Sequence, residues 1–112
     1  MGNEQGGREK LLASLGLCRK AGKLICGTPL VCDALGSGKK PFLVVCASDN
    51  SENTAKRLRD KCAFYGVPLV LSSVEGEALA RALGKGARVA AVAVTDQNLC
   101  RLVNAALQND PK

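Results

Sequence analysis

Histidine and tryptophan are both absent from this 112-residue chain, and aromatic residues make up only 3% of it. Without histidine the chain lacks the commonest general acid/base and the commonest metal ligand. Asp33, Asp49, Asp60 and Asp96 are scattered, and no pair has metal-site or glycosidase spacing. A cysteine nucleophile would find only lysines as its base. Gly84, Lys85 and Gly86 lack the spacing and the following Ser/Thr of a P-loop. Residues 36–40 (Gly-Ser-Gly-Lys-Lys) follow a helical pattern instead of a strand, so they read as a loop. An enzyme is therefore not expected. No apolar run approaches the roughly 18 residues that span a membrane, and the start of the chain shows no apolar signal segment. The expectation is a cytoplasmic protein with no membrane partner. No Cys-x-x-Cys pair exists, so the six cysteines read as small buried hydrophobes instead of a zinc site or a disulfide framework. No metal and no cofactor is expected.

Hydrophobic residues, by contrast, make up 46% of the chain, enough for one core built from Leu, Val, Ala and Cys. The length fits a single domain. Composition predicts a disordered arm over residues 1–8, a domain over 9–108 and a tail over 109–112. The net charge is +6. Residues 8–61 carry eleven Lys/Arg against five Asp/Glu, and residues 62–112 carry five against four. A basic excess gathered in one half suits a polyanionic partner, or else a solubilising surface.

Apolar spacing predicts a helix over residues 9–21, with Leu11, Leu12, Leu15 and Cys18 on one face. A short strand at residues 23–26 follows. Gly27, Thr28 and Pro29 then supply a turn, an N-cap and a proline for the next helix. The continuous apolar runs 42–46, 69–71 and 89–94 suit strands buried on both faces. Asp49, with Glu52 three positions on, is expected to cap a helix over 50–65, and Ser72 with Glu75 one over 73–83. Thr95 or Asp96 opens the last helix. The fold class is α/β: a three-layer α/β/α sandwich with a four-stranded mixed sheet.

Three turns carry candidate binding groups. Residues 23–29 run from a strand into a helix N-terminus, where backbone N–H groups and the helix dipole favour phosphate, or serve only as a cap. Residues 48–53 form a second such turn, rich in Asp, Asn and Ser. Residues 85–90 are basic and small, and alternatively form a plain solvated loop. Lys39 and Lys40 precede a strand and could reach phosphates. Lys56, Arg57, Arg59 and Lys61 share one helix and also suit a solvated face, with Glu52–Lys56 and Arg57–Asp60 pairs. One Tyr and two Phe are too few for a large base-stacking platform.

Lys23, Leu24, Gly27, Thr28, Ala34 and Leu35, the turn at 47–49, and the stretches 79–85 and 88–94 together resemble the ribosomal kink-turn RNA-binding proteins. The likeness runs from about Lys10 to Leu107. Residues 15–24 and 60–69 are similar in pattern to the bacterial YlxQ-type branch of that family. The resemblance implies the α/β/α fold, no catalysis, and structured RNA as partner, kink-turn-like or ribosomal, in a translation or ribosome setting. Lys23, Gly27, Thr28, Pro29, Lys39, Lys40, Lys85, Arg88, Val89 and Ala90 are the candidate RNA-contacting residues. Kink-turn binders usually read sheared base pairs from positions that here hold Pro29, Leu30 and Asp33. Leu30 and Asp33 are not carried over, so phosphate contact and shape are expected to dominate binding. The alternative is a protein-interaction module that has lost its RNA-reading residues.

Overall fold

A computed structural model describes residues 2–108. Five helices and four strands alternate: α1 (Gly2–Lys20), β1 (Leu24–Cys26), α2 (Thr28–Leu35), β2 (Leu43–Cys46), α3 (Glu52–Tyr65), β3 (Leu69–Leu71), α4 (Gly76–Ala82), β4 (Ala91–Val94) and α5 (Gln97–Leu107). The sheet order is β1-β4-β2-β3. β2 and β3 are parallel, while β4 lies between β1 and β2 and is antiparallel to both. The sheet is therefore mixed. α4 has only seven residues, about 10 Å of helix, and the chain re-enters the sheet from the end it left.

The apolar runs are continuous because β2 and β4 are covered on both faces. Leu43, Val45, Val92 and Val94 pack into one layer with Leu11, Leu15, Leu79 and Val103 of α1, α4 and α5. Val44, Cys46, Ala91 and Ala93 pack into the other with Val31, Leu35, Leu58 and Cys62 of α2 and α3. Successive strand side chains point to opposite faces, so each run feeds both layers. All six cysteines are free thiols, and four of them are buried. Burial pushes the Cys46 and Cys62 thiols up to about 11.

Several local expectations change. α1 begins at Gly2, so the arm predicted over residues 1–8 is helical from its second residue. Once a packed turn exists, each added residue gains a hydrogen bond without a new nucleation cost. The tail at 109–112 lies outside the described residues. Ser51, not Asp49, caps α3, its hydroxyl accepting from the Thr54 N–H. Ser72 is buried and donates to the Cys46 carbonyl, so it is not a helix cap. Gly27, which has no side chain to cap with, holds the N-cap position of α2, and Thr28 is the first helical residue instead of the cap. Lys56 pairs with Asp60 at 2.8 Å, in place of the expected Glu52–Lys56 pair.

Candidate nucleic-acid interface

Strand direction sorts the candidate residues into two groups. β1, β2 and β3 end where β4 begins, and the chain turns there at residues 27–29, 47–51, 72–75 and 88–90. Backbone bonds tie the turns together. The Gly27 N–H donates to the Ala91 carbonyl at 2.9 Å, and the Ala47 N–H to the Ala90 carbonyl at 2.8 Å. The Ser48 N–H donates to the Val74 carbonyl and the Val89 N–H to that of Gly76. This edge of the sheet gathers Gly27, Thr28, Pro29, Arg88, Val89 and Ala90.

Lys23, Lys39 and Lys40 lie at the other edge. The Lys23 carbonyl accepts from Thr95 just past the end of β4, and the Lys40 ammonium reaches the Tyr65 carbonyl at the end of α3. Phe42 and Ala47, five residues apart across β2, separate the two edges by about 17 Å of extended chain. The ten candidate residues thus do not converge on one surface.

At the first edge Gly27 has φ 99°, a backbone conformation that disfavours side chains, and no side chain caps α2. Pro29, in the first turn, contributes no N–H. Leu30 beside it is 59% exposed. Arg19 and Lys85 both bring positive charge to the neighbouring Cys26 thiol, opposing the upward shift that burial imposes on it. Arg19 also comes close to Gly84.

The Arg88 guanidinium is held by the turn at 49–50. Its Nη2 donates to Asp49 Oδ1 at 2.6 Å, to the Asp49 carbonyl at 2.9 Å and to Asn50 Oδ1 at 3.1 Å. Asn50 in turn donates to the Ala90 carbonyl at 3.0 Å. Asp49 Oδ1 also accepts from the Gly76 N–H at 2.9 Å, so it serves the first turn of α4 instead of α3. That backbone bond, then the Arg88 guanidinium, holds the Asp49 carboxyl below its usual range. The Arg88 side chain lies over Gly76, where an added Cβ would come within 2.7 Å of its Cγ. Val89 is buried, so its place in the site is a backbone one.

Sequence reasoning missed Arg19 and Gly76, reached Asn50 only as part of the candidate turn at 48–53, and gave Asp49 another task. Asp49 and Arg88 are 39 residues apart, and only the sheet register brings them together. A hint existed in the Asp-Asn pair that begins three residues past an apolar run.

A cleft of ≈ 430 Å³ beside this network is lined by Asp49, Glu77, Arg81, Lys85 and Arg88 among others. Asp49 is a poor general base there, because a carboxylate held acidic by its partners has little affinity for a proton at neutral pH. A larger groove of ≈ 990 Å³ between α1 and α4 is lined by Ala13, Gly16, Leu17 and Leu83 with Arg19 and Lys20. Among the described residues no cluster of His, Cys, Asp or Glu could hold a metal ion. No described helix is long and apolar enough to cross a membrane.

A layered α/β/α domain whose strand-to-helix turns gather small, amide-rich and basic groups matches a known class. Residues 9–103 match the ribosomal protein L7Ae/L30e/S12e/Gadd45 family, and the chain belongs to that family. Within it, the chain is of the YlxQ type. It is 45% identical over 84 residues to the RNA-binding protein YlxQ of Bacillus subtilis (strain 168), covering 74% of this chain and 80% of that protein. It is 36% identical over 85 residues to the YlxQ of Enterococcus faecium, covering 76% and 81%. A protein of unknown function from Bacillus halodurans C has the same fold, with a TM-score of 0.78, 34% identity, and coverage of 88% of this chain and 97% of that one. The Giardia lamblia 15.5kD RNA binding protein shares the fold at a TM-score of 0.72 and 20% identity, over 91% and 85% of the two chains.

Proposed function

We propose that the edge where Gly27, Asp49 and Arg88 meet binds structured RNA, in the manner of a kink-turn or a ribosomal RNA fold, without catalysing a reaction. The protein is a cytoplasmic, translation-associated RNA-binding protein whose single domain spans residues 9–108. The observation that carries this reading is the convergence of three turns, at 27–29, 47–50 and 88–90, fastened by the Gly27, Ala47 and Arg88 bonds. These are the segments in which the chain resembles kink-turn binders, and its YlxQ relatives are RNA-binding proteins by name.

Gly27 lets an RNA backbone approach closely, and the uncapped start of α2 supplies N–H groups and a positive dipole end to a phosphate. Arg19, Lys85 and Arg88 supply charge. Arg88's bonds to Asp49 and Asn50 use Nη2 and its Nε lies against Gly76, so Nη1 is the group it offers to phosphate. Leu30 and Asp33 supply no base-edge acceptor of the usual kind, so shape and phosphate neutralisation carry recognition. The exposed Leu30, with Pro29 and Asp33 beside it, and the separation of Lys23 and Lys39 from Lys85 and Arg88 are the features that favour a protein partner instead.

Fluorescence anisotropy against a kink-turn, a plain duplex and a single strand, at low and near-physiological salt, tests the proposal. The kink-turn is expected to bind best and to keep that preference as overall affinity falls with salt. Arg88→Glu with Lys85→Glu should weaken it at least about tenfold, by removing two cations and adding two anions. Equal binding of all three RNAs, lost together in salt, would move the protein-partner reading ahead.

A further inference from the structure

We infer that the opposite edge of the sheet is a second RNA contact, one that takes a single-stranded segment by stacking a base on Phe64 and holding its phosphates with Lys39 and Lys40. The chain has only three aromatic residues, Phe42, Phe64 and Tyr65, and all of them are at this edge. Phe64 is 81% exposed at the end of α3. A large apolar ring so open to water gains nothing for the fold, because burial is what makes it favourable. Yet it keeps one ring contact. Its ring stands edge-to-face on Tyr65 at 4.9 Å and 88°, a preferred aromatic geometry.

Tyr65 is itself pinned. The Lys40 ammonium lies 5.8 Å from its ring centroid and 3.4 Å from its carbonyl. The tyrosine hydroxyl reaches to the α2–β2 loop, 3.4 Å from where a Cβ on Gly36 would lie. The same loop presents exposed Lys39, and Ser37 braces it by accepting from the Lys39 N–H at 3.2 Å. Lys61 precedes Phe64 and Tyr65 by three and four residues, which puts it on the same side of α3. An open ring beside two loop cations matches the combination that binds single-stranded nucleic acid: stacking for the base, positive charge for the backbone. One free ring accommodates one or two bases, not a sheet-wide platform. Charge complementarity therefore points to RNA over an apolar protein segment. The proposed interface at the first edge lies about 17 Å away across the sheet, so one RNA could engage both through an unpaired flank.

The test uses the full chain with two labelled probes, a short oligouridylate and a blunt-ended kink-turn RNA, read by anisotropy. Phe64→Ala is expected to weaken oligouridylate binding at least about fivefold, as loss of one stacking ring does, and to leave kink-turn binding unchanged. Lys39→Glu with Lys40→Glu should weaken the oligouridylate by a larger factor than the kink-turn, whereas Arg88→Glu should do the reverse. Tyr65 is the sole tyrosine and no tryptophan is present, so its emission, corrected for RNA absorbance, should be quenched by oligouridylate. No binding of the oligouridylate, or equal affinity in the wild type and Phe64→Ala, overturns the inference and leaves Phe64 to a protein partner. Loss of kink-turn preference with Phe64-dependent oligouridylate binding intact would remove the first interface and not this one.

Discussion

Asp49 does three things with one carboxylate. It accepts from the Gly76 N–H at the start of α4, grips the Arg88 guanidinium, and so ties the turn after β2 to the turn before β4. Its ionised form is favoured by those donors, and the direction of the resulting pH effect follows. A carboxyl whose pKa is lowered on folding adds stability that is fully present above its unfolded value, about pH 4. That stability is lost as pH falls through the lowered folded value. Thermal unfolding from neutral pH into acid should therefore show a steeper acid limb in the wild type than in Asp49→Asn, with the gap narrowing in salt. The side chain is 45% exposed, so screening keeps the effect modest. None of this was legible from spacing. Asp49 followed by Glu52 matches a capping box, but the local pattern contains no trace of the partners at 76 and 88. What the sequence could not supply was register, and register decided which donor Asp49 met.

At the scale of elements, helix ends compete for nearby caps and the best-placed oxygen wins. The extended backbone of Ser51 aims its hydroxyl at the Thr54 N–H at 3.2 Å, with the Thr54 hydroxyl as a further partner. Ser51→Ala should cost about 1 kcal/mol of stability, the usual value of an N-cap side chain. A denaturant melt would register it as a lower midpoint with unchanged slope. Asp49→Ala should disturb α4 instead of α3, so amide exchange should quicken near Gly76 and not near Thr54. The helices and the central strands β2 and β4 were readable because periods of 3.6 and runs buried on both faces are properties of contiguous residues, whereas β3, read in the same way, lies at the side of the sheet with Leu71 55% exposed. The antiparallel direction of β4 was not readable. It depends on how far the short α4 carries the chain, and the sequence pattern merges α4 with the turn that precedes it.

The whole molecule is a three-layer sandwich whose central sheet presents different chemistry at its two edges, and it is small enough, at 40 × 30 × 26 Å, that one RNA could touch both. The thiols offer a native reporter of which edge is covered. Cys18, Cys32, Cys46 and Cys62 are buried, while Cys26 and Cys100 are partly open. Burial raises the pKa of the Cys26 and Cys100 thiols as well, although Lys85 and Arg19 oppose this at Cys26 and an Asn104 hydrogen bond opposes it at Cys100. The thiolate is the reactive form, so a thiol-specific reagent at mildly alkaline pH should label Cys26 and Cys100 in the native protein. The other four should react only on unfolding. Cys26 directly precedes Gly27, at the edge proposed for the kink-turn, and Cys100 lies on α5. A bound kink-turn RNA should therefore slow labelling of Cys26 severalfold and spare Cys100, with peptide mass spectrometry assigning each site. Slowing of both to the same degree would mean that RNA acts by stiffening the whole domain. Slowing of Cys100 alone would place the RNA against α5, a surface to which neither the charge nor the turns point.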